Sequence, residues 1–197
     1  MIKAPLAAAS VPFAVALAPG NGLVREIGLV SFGALVTALA AQVAVPWEPV
    51  PFTLQTMGMA VAGLTLGAKR GALSQLLYLG IGSVGMPVFA LGTGGVSRIL
   101  GPTGGYLVAF VVAAGILGYF AEKGGTKTVL RTAMAVLCGF AVTLTMGTAW
   151  LSAYVGSASA IRLGLVPFVL PEIIKALVVT LGLPAAWKLS AMGDRWQ

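Results

Sequence analysis

Two ionisable residues lie in an apolar segment near the C-terminal end of the chain. Glu172 and Lys175 occur in VPFVLPEIIKALVVTLG, and a spacing of three residues places both side chains on one face of a helix. A charge inside a membrane-spanning helix costs about 3 kcal/mol on insertion scales, so it needs a reason. Pro171 lacks an amide hydrogen and loosens the local backbone. We interpret the pair as the polar part of a ligand pocket; a structural ion pair between helices is the alternative.

A glycine-rich stretch is the second candidate. Residues 92–105 contain six glycines and a single charged residue, Arg98. The guanidinium of arginine offers five donors in a fixed geometry that suits a carboxylate. Arg98 is therefore a candidate ligand contact, with an exposed residue at the headgroup level as the alternative. A third polar group, Gln55, follows a proline-rich loop and is predicted at a similar depth.

The amino-acid composition indicates the kind of protein in which these residues are placed. Apolar residues make up 58% of the 197 residues, charged residues only 9%, and the mean hydropathy is +0.99. A soluble domain has about a quarter charged residues. The chain is therefore predicted to be an integral membrane protein, and its net charge of +7 is interpreted as a topology signal. We expect no nucleic-acid partner.

The residue inventory argues against catalysis. The chain has no histidine, and its single cysteine, Cys138, lies in the apolar run AVLCGFAV. Histidine-based catalysis and histidine- or thiolate-ligated metals are excluded, and no phosphate-binding loop of the ATPase type occurs. We predict that the protein is not an enzyme and has no catalytic residue, metal or cofactor.

The continuous apolar runs predict an all-α bundle of six transmembrane helices in one membrane domain covering residues 1–197. Residues 1–26 form an N-terminal segment with room for an extra short helix, and 27–187 the six-helix core. Although 1–20 imitate a signal peptide, Pro19 directly after Ala16-Leu17-Ala18 disfavours cleavage. The predicted spans are Ile27–Val45, Leu54–Ala68, Ala72–Leu91, Tyr106–Ala121, Thr132–Val155 and Val166–Trp187.

Lysine and arginine are distributed unequally across these spans. Nine of the twelve lie on the side that holds both termini, and only Arg98 and Arg162 lie on the other, with Lys175 inside the sixth span. The positive-inside rule then places both termini in the cytoplasm. The loops expected to face outside are 46–53, 92–105 and 156–165.

The first span also carries a packing signal. Ala34 and Ala38, like Ala40 and Ala44, form small-xxx-small patterns, which allow another helix to approach closely. That helix could belong to a partner or to this chain.

The motifs together resemble the BioY family. They are VPFTLQT at 50–56, GALS at 71–74 followed by Tyr78-Leu79, GMPVFA at 85–90, GPTGGYL at 101–107 and the acid-x-x-Lys of Glu172 and Lys175, and they occur in the same order over roughly residues 30–185. That family comprises the biotin-specific substrate-binding (S) components of energy-coupling factor (ECF) transporters.

The resemblance implies a six-helix S component that captures biotin outside the bacterial cytoplasmic (inner) membrane. Its partners would be a membrane coupling subunit and two ATP-binding-cassette ATPases. Ala34 and Ala38 match the small-residue face that contacts the coupling subunit in similar proteins. Glu172 and Lys175 map onto the pair that helps to hold biotin, where the family usually has aspartate instead of glutamate.

Biotin suits these residues chemically. It has a ureido ring with two N–H donors and one carbonyl, an apolar bicycle and a valerate tail. Glu172 can accept from the ureido group, and Lys175 or Arg98 can pair with the carbonyl or the carboxylate. The expected substrate contacts also include Gln55, Tyr78, Phe89 and Tyr106. The alternatives are an S component for another vitamin and a small homo-oligomeric channel or exporter.

Overall fold

The computed structural model describes residues 12–17, 20, 22–124 and 128–193, and these are mostly helical. The helices are α1 Phe13–Leu17, α2 Leu23–Gln42, α3 Gln55–Leu66, α4 Ala68–Ser83, α5 Val96–Ile99, α6 Gly104–Glu122, α7 Val129–Val155, α8 Ser157–Ala160 and α9 Val166–Gly193. A 3-10 turn spans Ala90–Gly92, and a π-helical turn, Ile161–Leu165, leads directly into α9. Two short strands, β1 Ala44–Val45 and β2 Phe52–Thr53, pair antiparallel.

Four helical segments within the described residues are long and apolar enough to cross a membrane. They are Leu23–Gln42, Gly104–Glu122, Val129–Val155 and Ser157–Ala185. The second and third predicted spans are found as α3 and α4, which have 12 and 16 residues. At 1.5 Å per residue these helices are about 18 and 24 Å long, shorter than a hydrocarbon core of about 30 Å. The chain is thus a helical membrane protein, and the count of six spans stays a prediction.

Helix α3 occupies the centre of the bundle, where ten of its twelve residues are buried. Glycines allow its neighbours to approach this closely. A Cβ at Gly58 would lie 2.9 Å from the Ala40 methyl on α2, and a Cβ at Gly63 would lie 2.7 Å from the Ala114 carbonyl on α6. Such contacts between small residues are how helices pack in membranes. They hold α3, which opens with Gln55 and Thr56, between two long helices.

Helix α2 presents large apolar side chains outward and small ones inward. Phe32, Leu35 and Leu39 are exposed, whereas Ala34 is only 3% exposed and belongs to the main core cluster, and Ala38 packs against that cluster. The contact of Ala34 and Ala38 with a partner stays a prediction. In this structure the Ala34 methyl is used for packing within the chain.

Helix α4 ends earlier than the sequence suggested. The predicted span Ala72–Leu91 stops at Ser83, because Gly85 adopts a positive φ of 98° and Pro87 has no amide hydrogen to continue a helix. The chain then folds back on itself, and the Gly95 amide donates to the Gly82 carbonyl at 2.7 Å. This return brings Phe89 and Arg98 to the same end of the bundle as the β1–β2 hairpin.

The opposite end of the bundle is held by ion pairs. Arg70 on α4 donates two hydrogen bonds to the Glu26 carboxylate on α2, at 2.7 and 2.8 Å, and Arg25 adds a third at 3.2 Å. The Glu122 carboxylate on α6 accepts from the Ala68 amide at 2.9 Å. These contacts tie α2, α4 and α6 together far from the candidate pocket.

Candidate ligand-binding site

Helix α9 carries the two buried charges one turn apart. The Lys175 Nζ lies 2.5 Å from the Glu172 Oε1, and the two residues are 8% and 5% exposed. Their neighbours on α9, Ile173 and Ile174, are exposed, so the helix has an apolar outer face and a polar inner face. The sequence prediction that both charges share one inward-facing side is consistent with this arrangement.

The Lys175 ammonium has all three of its N–H groups occupied. It donates to the Thr53 carbonyl at 2.9 Å, to the Thr56 hydroxyl at 2.7 Å and to Glu172 Oε1. Because a lysine has three donors and no acceptor, no donor remains for a ligand in this conformation. Lys175 therefore neutralises and orients Glu172 and joins α9 to the start of α3.

The two oxygens of Glu172 are treated differently by the protein. Oε1 accepts from Lys175 and from the Thr56 hydroxyl, the latter at 3.0 Å. Oε2 is buried and has no hydrogen-bond partner among the described residues. An unpaired buried acceptor costs about 1–3 kcal/mol, and more when it is charged. Glu172 thus offers one open acceptor, which is what a ligand N–H donor needs.

A chain of hydrogen bonds extends from this pair to the loop after α4. The Thr53 hydroxyl donates to Gln55 Oε1 at 2.9 Å, Gln55 Nε2 donates to the Tyr78 hydroxyl at 2.6 Å, and Tyr78 donates to the Val88 carbonyl at 3.1 Å. The ring of Tyr78 also meets Phe89 edge to face, with centroids 5.4 Å apart. Tyr78 therefore fixes the loop segment that carries Phe89.

A cavity of about 180 Å³ adjoins these groups. Thr53, Gln55, Thr56, Glu172 and Lys175 supply its polar side. Its apolar side is formed by aromatic residues, namely Phe89, Tyr106, Phe110 and Phe168. A mostly apolar pocket with a few placed polar groups is typical of small-molecule sites.

Two glycines determine where Tyr106 stands in this wall. A Cβ at Gly147 would lie 2.1 Å from its ring, and a Cβ at Gly164 would lie 2.4 Å from its hydroxyl. The hydroxyl donates to the Gly164 carbonyl at 2.7 Å and lies 3.3 Å from the Thr148 hydroxyl. The polar end of the ring is therefore satisfied by the protein.

The mouth of the cavity is formed by the β1–β2 hairpin and the loop around α5. Trp47, Glu48 and Arg98 line it, and all three are exposed. Trp47 packs against Phe52, with centroids 5.6 Å apart, and Phe52 stacks on Phe168 at 4.4 Å. The hairpin therefore covers the aromatic wall, and Arg98 is an exposed residue of the lining.

The model of the BioY family matches residues 6–192. The chain belongs to the BioY family. It is 43% identical over 152 residues to the probable biotin transporter BioY of Pyrococcus horikoshii, an alignment that covers 77% of this chain and 90% of that protein. It is 36% identical to the biotin transporter BioY2 of Lactococcus lactis, over 82% and 89% of the two chains.

A solved structure has the same fold. The crystal structure of the S-component for biotin from an ECF-type ABC transporter superposes with a TM-score of 0.73 at 26% identity, covering 86% of this chain and 95% of that one. The resemblance inferred from the motifs is confirmed, as is the prediction that this BioY family member is a transport protein and not an enzyme.

Six of the seven substrate-contact residues expected from the sequence line the cavity of this BioY family member. They are Gln55, Phe89, Arg98, Tyr106, Glu172 and Lys175. The exception is Tyr78, which is 1% exposed and lies behind the wall, bonded to Gln55 and Val88. A direct contact of Tyr78 with the substrate stays a prediction.

Sequence reasoning missed other lining residues. Thr53 and Thr56 lie inside the VPFTLQT motif but were not singled out, because a threonine is rarely informative alone. Phe168 precedes Glu172 by four residues, and that helical spacing was a usable signal for a shared face. Phe110 had no comparable signal within the apolar α6.

Proposed function

We propose that this chain binds biotin in the cavity between α3, α6 and α9 as the S component of an ECF-type transporter. The family, the relatives named biotin transporters and the matching biotin S component support this. One observation in the site carries the proposal: Glu172 Oε2 is a buried, unpaired acceptor at the polar end of an aromatic-lined cavity.

The ureido ring fits this polar end. One ureido N–H donates to Glu172 Oε2, giving a hydrogen bond to a charged group, which is typically worth about 1.5–3 kcal/mol. Lys175 keeps its three acceptors and holds the carboxylate in position beside the ligand. The apolar bicycle lies against Phe89, Tyr106 and Phe168, and the valerate tail runs toward Arg98, whose guanidinium suits its carboxylate.

The same proposal includes the topology. The short α3 and α4 complete a six-helix bundle, and the excess of Lys and Arg on one side places both termini in the cytoplasm. The hairpin and the α5 loop then face the exterior, so the mouth of the cavity opens outward. The protein is accordingly a multi-pass protein of the bacterial cytoplasmic membrane.

The partners would be the membrane coupling subunit and the ATPase subunits of the transporter. Since Ala34 is buried, we assign the contact on α2 to its exposed face, which carries Phe32, Leu35 and Leu39, with the partly buried Ala38 beside it. Co-purification of the chain with the membrane coupling subunit tests this assignment.

Calorimetry with detergent-purified protein tests the proposal. We expect one biotin bound per chain, with no measurable heat from thiamine or riboflavin under the same conditions. Glu172→Ala, which removes the open acceptor, should abolish or strongly weaken the signal. Absence of biotin binding by folded wild-type protein, or equal binding of the other vitamins, would overturn the assignment.

A further inference from the structure

A second, shallower cavity lies directly outside the first. We call it the mouth cavity; it is lined by Glu48, Pro49, Ser97, Arg98 and 101–103. Glu48, Pro49, Arg98 and Thr103 line both cavities, so the two adjoin each other at the mouth. The mouth cavity measures about 410 Å³. There is therefore room for a group attached beyond the end of the inner ligand.

One wall of the mouth cavity is anchored to the helical bundle. The Trp150 indole on α7 donates to the Gly101 carbonyl at 3.0 Å, and the Tyr154 hydroxyl on the same helix donates to the Leu100 carbonyl. The Thr103 hydroxyl donates to the Arg98 carbonyl at 3.3 Å. These bonds hold the segment that follows α5 in place, so Arg98 projects from a fixed wall.

The mouth cavity carries two opposite charges that are not paired with each other. Glu48 comes from the β1–β2 hairpin and Arg98 from α5, and both are exposed. The ion pairs within the described residues join Arg25 or Arg70 to Glu26 and Lys175 to Glu172. A carboxylate and a guanidinium that face one cavity without bridging can each take a partner from a single zwitterionic group.

We propose that the mouth cavity accepts a lysine joined through its side-chain amine to the biotin carboxyl by an amide, so that the protein also binds Nε-biotinyl-lysine. This inference rests on the proposed binding of biotin in the inner cavity. Amide formation removes the charge of the valerate tail and leaves Arg98 without its anionic partner. The α-carboxylate of an attached lysine restores a partner for Arg98, and its α-ammonium supplies one for Glu48.

The test is competition against labelled biotin on the full-length protein in detergent, with three probes that share the biotinyl amide and differ in charge. Nε-biotinyl-lysine carries both charges, its Nα-acetyl form lacks the ammonium, and biotin butylamide lacks both. We expect affinity to fall in that order, with the butylamide at least about tenfold weaker than Nε-biotinyl-lysine. Ligand charge is thus varied while the inner-cavity contacts stay the same.

The variant Glu48→Gln completes a double-mutant-type cycle, in which the ligand ammonium and its partner on the protein are removed separately and together. It should weaken Nε-biotinyl-lysine about fivefold, as expected for a partly exposed ion pair, without a matching loss for the Nα-acetyl form. If biotin binds but Nε-biotinyl-lysine fails to displace it, or binds no better than the butylamide, the mouth-cavity proposal is wrong and the biotin assignment stands. If biotin itself does not bind, both the biotin assignment and the mouth-cavity proposal are wrong.

Discussion

The protein has an ion pair at each end of its helical bundle, and the two pairs differ in burial. Glu26 and Arg70 are 41% and 28% exposed, and both carboxylate oxygens accept from arginine. The side chains of Glu172 and Lys175 are only 6% and 10% exposed, and one carboxylate oxygen stays open. Water screens the first pair, which therefore contributes little, whereas breaking a buried pair is strongly destabilising. A carboxylate paired with a cationic side chain thus forms a structural clasp in one place and lines a cavity in the other.

Removing the lysine of the buried pair should have the largest effect. Lys175→Ala leaves Glu172 as an uncompensated buried charge, which typically costs about 3–5 kcal/mol of folding stability. Glu172 also loses the partner that orients it, so biotin affinity should fall at least about tenfold. Thermal unfolding and calorimetry measure the two losses separately.

A double variant shows which loss belongs to binding. Combining Lys175→Met with Glu172→Gln removes both charges and should recover much of the stability without recovering the affinity. Lys175→Ala protein that is folded and binds biotin as tightly as wild type would show that the pair is purely structural.

Replacing the open acceptor, Glu172 Oε2, while keeping Lys175 should have the second-largest effect on biotin affinity. Glu172→Gln leaves Lys175 with three neutral acceptors but can present an amide donor to the ureido N–H groups, so affinity should fall about tenfold. Stability should fall less than in Lys175→Ala. Glu172→Asp keeps the charge and should retain most of the affinity, and a larger loss in the aspartate variant than in the glutamine variant would contradict this account.

The hydrogen-bond chain behind the wall should give an intermediate effect. Tyr78→Phe deprives Gln55 Nε2 of its acceptor and the Val88 carbonyl of its donor, so we expect biotin to dissociate several-fold faster as Phe89 loses its support. Tyr119→Phe on the exposed side of α6 is the matched control and should behave as wild type. An unchanged dissociation rate in Tyr78→Phe would remove Tyr78 from the binding mechanism.

The exposed clasp should give the smallest effect. Arg70→Gln removes both bonds to Glu26, yet biotin affinity should stay at the wild-type value because the clasp lies at the far end of the bundle. The melting temperature should shift least in this series, and raising the salt concentration in the wild type should reproduce part of that shift. A loss of affinity in Arg70→Gln would show that the two ends are coupled.

Local patterns in the sequence were enough to find the buried charges and most of the helices. The i, i+3 spacing of Glu172 and Lys175 and the long apolar runs depend only on neighbours in the chain. Their partners do not, because Lys175 bonds Thr53 and Thr56 across 122 and 119 residues. The inward face of Ala34 and the position of Tyr78 behind the wall likewise follow from tertiary packing.

The triple bonding of Lys175 has a mechanical consequence. Two of its acceptors belong to Thr53 on β2 and Thr56 on α3, and the third belongs to Glu172 on α9. A single ammonium therefore connects α9 to β2 and α3. A displacement of a helix by about 1–2 Å is larger than a hydrogen bond tolerates. Sliding α9 past α3 would therefore break the bonds from Lys175 to Thr53 and Thr56, and the Glu172 carboxylate that faces the cavity would lose its fixed orientation. Substrate affinity and the relative position of α3 and α9 are then thermodynamically coupled. By thermodynamic reciprocity, a force that moves the helices loosens the substrate, and bound substrate resists that movement.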